Sequence, residues 1–306
     1  MVLTMVADLT TASHVTMFVD PTAVLNGLSR ALLLFLIASG LSLIFGLMGV
    51  VNFAHGAFYA LGGYLGVFVF GFSESFLVAL FIAPFLVALV GILTESTTIR
   101  PLYDRDPIYQ VLLTFGVSII LDELIKLVWG SSPLSLGAPE ALGGVSELGF
   151  ISYPTYRVFI IGFGLLMALG LWLFIQRTRV GIIIRAGTLD SEMVEAMGIN
   201  VQRVFTGMFG LGVGLAAVGG VVASPLLGVY PTMGTEILIE AFLVVVLGGL
   251  GSVRGALLGA LIIGMAQGIG AYYISSFVGL LLFVIMIAVL LIRPYGLLGH
   301  SGIAEH

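Results

Sequence analysis

Residues 24–51 read VLNGLSRALLLFLIASGLSLIFGLMGVV, twenty-eight positions with Arg30 as the sole charge. A helix needs roughly 20 apolar residues to cross the ~30 Å of hydrocarbon in a bilayer. This run exceeds that length, and it is continuous rather than alternating, so it reads as a helix and not as a barrel strand. Its surplus permits a tilt or a kink, and Gly40 and Gly46 sit where a bend would fall. Eight more apolar runs follow, at about 57–72, 76–94, 108–129, 157–175, 204–224, 237–250, 256–274 and 277–292. The seventh, near 237–250, is short and bounded by glycine, which suggests a re-entrant segment. The expectation is an all-α, polytopic helical membrane protein with about 8–9 transmembrane segments. Residues 23–299 form one transmembrane domain, between an N-terminal tail (1–22) and a C-terminal tail (300–306).

Composition points the same way. Of 306 residues, 59% are hydrophobic and only 9% charged, too few charges to cover the surface of a soluble domain. A net charge of -5 without a basic stripe argues against nucleic acid as a partner. There is no cysteine, and His14, His55, His300 and His306 are scattered, so no metal cluster is expected. The first 22 residues lack the basic start and apolar core of a cleavable signal. Forty-two glycines suit close helix contact. Lys126, the only lysine, is followed by Leu127, so no phosphate-binding G-x-x-x-x-G-K-[ST] loop exists. No nucleophile–base constellation appears, and the chain is not expected to be an enzyme.

Arginine sets the orientation. Arg100, Arg105, Arg177, Arg179, Arg185, Arg203, Arg254 and Arg293 fall in alternate connections, whereas Arg30, Lys126 and Arg157 fall on the other side. The 130–156 connection carries Glu140 and Glu147 and no basic residue before Arg157 at its end. The positive-inside rule places the first group in the cytoplasm and the 130–156 loop outside. Nine crossings then put the N-terminus outside and the C-terminus inside.

The longest inside connection, 176–203, is the most polar stretch between spans. Thr188–Met197 reads as a short helix with Thr188 as cap, acidic Asp190, Glu192 and Glu195 toward its positive end, and Gly198 as its stop. Met193, Ala196 and Met197 form a small apolar face, suited to a partner's groove or to an interface. Elsewhere, Asn52 and His55 stand at a glycine-rich break, either lining a pathway or, for Asn52, capping the next helix while His55 lies at the lipid headgroups. Glu236 and Glu240 are one turn apart, with Glu240 the deeper, near either the outer interface or a pathway wall. Asp122 and Lys126, four apart, suit a pair within a helix. A faint echo relates FGLMGVVNFAHGAFYALG to LGGLGSVRGALLGALIIG, as in transporters with internal repeats.

These stretches carry a resemblance. Glu195-Ala196-Met197-Gly198-Ile199-Asn200 is similar to the degenerate E-A-A…G signature in the permease subunits of bacterial ABC importers, in its branched-chain amino acid (LivH/LivM) form. GLSLIFGLMGVVNFAHGAFYALGGYLG (40–66), LLTFGVSIIL (112–121), VVLGGLGSVRGALLGALIIG (245–264) and IRPYGLLG (292–299) extend the likeness over about 23–299, closer to the LivH type. The first E-A-A position departs from the pattern. The resemblance implies a multi-pass protein of the bacterial inner membrane with no cofactor of its own. It implies two ATPase subunits holding ATP and Mg, a second permease subunit (LivM-like or a second copy), and a periplasmic solute-binding protein. Membrane lipid surrounds the chain. Residues matched to ATPase coupling are Arg185, Glu192, Glu195, Ala196, Gly198, Ile199 and Asn200. Pathway candidates are Asn52, His55, Gly56 and Glu240. Branched-chain or related amino acids are the implied cargo, with urea or short amides as the alternative. A self-sufficient ion-coupled transporter would instead require ionisable groups at mid-membrane near broken helices.

Overall fold

The computed structural model describes residues 20–149 and 151–299; most of the 1–22 tail and all of the 300–306 tail lie outside them. Each of the nine apolar runs is a helix. α1 (Pro21–Met48) starts where the Asp20 carboxylate accepts from Thr22 N at 2.7 Å, with Pro21 at the first helical position, the preferred chemistry of a helix start. It ends two to three residues before its apolar run does, at Gly49 with φ 66°. Residues 49–54 are non-helical, and α2 (His55–Ser73) begins alongside the middle of α1. α3 (Phe76–Thr94) continues through a π-turn, Glu95–Ile99, and a 3-10 turn, Arg100–Leu102. α4 (Pro107–Trp129) leads to an outer loop that folds into a hairpin, β1 (Val145–Leu148) antiparallel to β2 (Ile151–Pro154). This hairpin is the one β element added to the all-α expectation among the described residues.

α5 (Thr155–Arg177) is followed by two short helices, α6 (Arg179–Gly187) and α7 (Ser191–Ala196). Then come α8 (Val201–Leu227), α9 (Met233–Gly248), α10 (Val253–Tyr273) and α11 (Val278–Ile292). Seven of these helices are long and apolar enough to cross a membrane. α4, with 23 residues, carries Asp122, Glu123 and Lys126 in its last two turns. α9 has 16 residues, about 24 Å at 1.5 Å per residue, short of the ~30 Å hydrocarbon core.

The contacts sort the connections into two ends, as the arginines do. Gly187 packs on Leu47, Gly46 on Gly251, Leu297 bonds to Leu247, and Arg100 bonds to Thr206. At the other end Tyr153 and Arg157 bond to Asn26, Asp20 bonds to Tyr273, and the outer loop joins the 228–232 connection through the Leu134–Val229 bridge.

The long helices form two units, α1–α4 and α8–α11, joined by α5–α7 and matched in their packing, α10 on α1 as α3 on α8 and α9 on α10 as α2 on α3; they run inverted, since α1 begins at the Asp20–Tyr273 end and α8 at the Arg100–Thr206 end. Each unit opens with its longest helix, α1 with 28 residues and α8 with 27, followed by a non-helical stretch. The two opening helices cross at Gly40 and Gly212, where a methyl on Gly212 would stand 2.8 Å from the Gly40 carbonyl oxygen. The two helices that follow, α2 and α9, cross at Gly56 and Gly234, where a methyl on Gly234 would stand 2.6 Å from the Gly56 carbonyl oxygen. At both points a methyl on the partner glycine would collide with backbone in return. Inverted-topology repeats with interrupted helices are a recurrent transporter plan. The faint echo paired α1–α2 with α9–α10; the fold instead pairs α1–α2 with α8–α9, because glycine-rich apolar sequence resembles itself at many offsets.

α1 is the axis, with every residue from Ala31 to Ile44 buried. At the periphery, α11 buries only Leu282. The exposed side chains there and on α2–α5, such as Phe72, Phe81, Leu127, Leu166 and Leu291, are apolar as lipid contact requires.

Candidate functional site

The 176–203 connection between α5 and α8, expected on the cytoplasmic side, is a built structure. Thr178 caps α6 by accepting from Gly181 N at 3.0 Å. α6 turns Gly181 and Ile184 inward and leaves Val180 and Ile182 exposed. The Arg185 guanidinium donates to the Ile175 carbonyl and to Gln176 Oε1, tying α6 to the end of α5. The coupling helix is shorter than Thr188–Met197: α7 spans Ser191–Ala196. Its cap is Asp190, which accepts from Met193 N at 2.8 Å. Thr188 instead closes α6, its hydroxyl donating to the Arg185 carbonyl. Asp wins the cap because its backbone is extended there (φ -159°) while Thr188 is already helical (φ -72°), and a cap needs non-helical dihedrals.

Val194 plugs α7 into the bundle, 4% exposed, while Glu192, Met193, Glu195, Ala196 and Met197 point outward. Met193 and Met197 are 60% and 74% exposed, an apolar face with no cover among the described residues. Gly198 stops the segment with φ 82°, Ile199 is half-buried, and Asn200 caps α8 by accepting from Arg203 N at 3.0 Å. All seven residues matched to coupling therefore lie on one short stretch, tied to α5 behind by Arg185 and to α8 ahead by the Asn200 cap.

A second element, unnoticed in the sequence, lies beside the start of α8. The Glu95 carboxylate, 0% exposed, accepts from Arg100 Nη2 at 3.0 Å and Tyr103 Oη at 2.5 Å. Arg100 also donates to Thr206 Oγ1 at 2.5 Å. The π-turn beginning at Glu95 brings these groups to one point; such turns cluster at functional positions. Burial first, and then the neighbouring Glu95 carboxylate, hold the Tyr103 phenol above its ordinary range. The cluster locks the α3–α4 connection to α8 one turn past the coupling segment.

The pathway candidates divide. Asn52 accepts from Ala54 N at 3.0 Å, a turn-closing role just ahead of α2. His55 Nε2 lies 3.0 Å from the Ile37 carbonyl, and both Asn52 and His55 are fully buried. His55 is therefore in the core rather than at the headgroup interface, drawn there because α2 starts inside the bundle. Neither lines a cavity described in this chain. Gly56 is the backbone crossing with Gly234. Glu240 pairs with Arg30 at 2.7 Å, and Arg30 Nε donates to Gln267 at 2.9 Å, joining α1, α9 and α10. Glu236 separates from Glu240 and accepts from Tyr230 and Thr232 at the outer side. Burial and that bond to Glu236 raise the Tyr230 phenol to about 12. The expected Asp122–Lys126 pair does not form: Lys126 bonds Glu123 at 2.6 Å, one residue nearer. Beside Arg30, an outward cavity of about 560 Å³ is lined by Asn26, Arg157, Gln267, Tyr272 and Ser275. Among the described residues no group of three potential metal ligands occurs.

The family model for the permease component of the branched-chain amino acid transport system matches residues 23–290. The high-affinity branched-chain amino acid transport system permease protein LivH of Salmonella typhimurium is 32% identical over 294 residues, 92% of this chain and 96% of that protein. BraD, the corresponding permease protein of Pseudomonas aeruginosa, is 33% identical over 296 residues, with the same shares covered. The ribose import permease protein RbsC of Escherichia coli is 27% identical over 268 residues, 83% of this chain and 80% of that protein. A match over most of its length, on a bundle of inverted helical units, means that the chain belongs to the branched-chain amino acid transport system permease family.

Proposed function

We propose that this chain is the membrane-spanning permease subunit of an ABC importer for branched-chain or related amino acids, in the bacterial inner membrane. ATP and Mg are held by two partner ATPase subunits, a periplasmic binding protein delivers the solute, and a second permease chain completes the pathway. The observation that carries the drive mechanism is the coupling segment. α7 is anchored by Val194 yet presents Met193 and Met197 uncovered, and it leads through the Asn200 cap directly into α8. A push on α7 is thus transmitted to the longest helix of the second unit and, through Thr206–Arg100–Glu95, to the first. The outward cavity beside Arg30 and Arg157 supports a solute entry on the opposite side.

Reconstitution tests this. Uptake of leucine into vesicles is expected to require the binding protein, the ATPases and ATP together. Leucine uptake driven by an ion gradient with this chain alone would replace the proposal with an ion-coupled transporter.

A further inference from the structure

A cavity of about 530 Å³ opens at the arginine-rich end of the bundle, between α1, α5, α6 and α10. Its size falls within the roughly 300–1,000 Å³ range of sites for small ligands. Its inner walls are apolar, from Phe35, Leu43 and Leu47 on α1, Trp172 on α5 and Leu257 on α10. Its rim is polar and cationic, with Gln176, Arg185, Thr188 and Arg254. Among the described residues neither arginine has a carboxylate within ion-pair range. The acid closest to Arg185 in sequence, Asp190, is engaged as the cap of α7. Arg185 spends donors on Ile175 and Gln176, but a guanidinium has five N–H groups, so capacity is left.

We infer that this cleft binds an anionic phospholipid of the cytoplasmic leaflet, with an acyl chain against Phe35, Leu43 and Trp172 and its phosphate at Arg185 and Arg254. Two observations select lipid over a protein segment. The α5 wall continues onto an exposed apolar surface, Leu165, Leu166, Leu169 and Leu173, which faces the bilayer, so the cleft is open to lipid from the side. The rim charge lies on the arginine-rich side, where anionic headgroups gather, and basic pockets between helices on that side take such headgroups. Since Thr188 and Leu189 form part of the cleft and lead straight into α7, the bound lipid props the coupling segment in place. The inference rests on the orientation of the chain and is independent of its cargo.

The chain has two tryptophans, which makes the site optically addressable. Trp129→Phe leaves Trp172 as the only reporter; Trp129 lies at the other end of the bundle, its ring tilted against Tyr64, and phenylalanine keeps that packing. The full-length Trp129→Phe chain is placed in phosphatidylcholine vesicles containing acyl-brominated phosphatidylglycerol or acyl-brominated phosphatidylcholine at equal mole fractions. Brominated phosphatidylglycerol is expected to reach half-quenching of Trp172 at a mole fraction roughly tenfold lower. Adding Arg185→Gln and Arg254→Gln should bring the two lipids together while leaving quenching by brominated phosphatidylcholine unchanged. Equal quenching by both lipids in the Trp129→Phe chain overturns the inference, as does no quenching by either; these outcomes stand even where the double variant does not fold.

Discussion

Glu95 has no exposed surface and accepts from Arg100 and Tyr103, so its removal strands a guanidinium against the bundle. Glu95→Ala is expected to destabilise by about 3 kcal/mol, and Glu95→Gln by less because it keeps an acceptor, read as the shift in thermal unfolding midpoint of the purified chain in detergent. The glycine crossing is equally demanding: Gly56→Val must displace backbone of Gly234 and should cost at least about 1–3 kcal/mol, whereas Gly116→Val, with nothing within 4 Å of its added carbon, should be close to neutral. At this scale legibility depended on distance along the chain. The turn that Asn52 closes is local, its partner Ala54 being two residues away, but no side chain caps α2, so the expected cap role is not what Asn52 does. The Glu95 cluster is not local, since Thr206 comes from a helix 106 residues on, and the Asp122–Lys126 spacing was satisfied by Glu123 instead because both separations place side chains together on a helix.

The cytoplasmic segment shows what patterning resolves in an element and what it leaves blurred. Its polarity, its acidic start and its glycine stop were all readable, and the seven residues matched to coupling fall on this one stretch. The position of the cap was not, because Thr188 and Asp190 are both good capping types and only the backbone angles decide between them. α6 was missed altogether, its RVGIIIRAG pattern being too short for a periodic signal. Two outcomes follow for α7. Asp190→Ala should cost about 1 kcal/mol of stability, measured by the same thermal shift. Met193→Asp with Met197→Asp, both on the uncovered face, should abolish co-purification of the ATPase while leaving the yield and unfolding midpoint of the permease within error; retained ATPase would place the docking face elsewhere.

For the molecule as a whole, the nine apolar helices and the two ends of the bundle were legible from apolar run length and arginine placement alone, since the bilayer enforces both. The inverted pairing of α1–α4 with α8–α11 was not, because it resides in three-dimensional crossings at four glycines rather than in sequence likeness. The Arg30–Glu240 pair joins the two units, and its charges should behave as one object. Arg30→Met or Glu240→Met alone should each reduce stability, and the double variant by less than their sum, with a coupling of about 1–2 kcal/mol in a thermal double-mutant cycle.

The account depends most on α7 standing in the cytoplasm with its face uncovered. The chain has no cysteine, so Met193→Cys creates a unique thiol, with Gly143→Cys in the outer loop as its counterpart. A membrane-impermeant maleimide should modify Gly143→Cys but not Met193→Cys in spheroplasts, and Met193→Cys but not Gly143→Cys in inverted vesicles. Modification of Met193→Cys from outside sealed spheroplasts would contradict the topology and, with it, the route by which ATPase motion reaches α8.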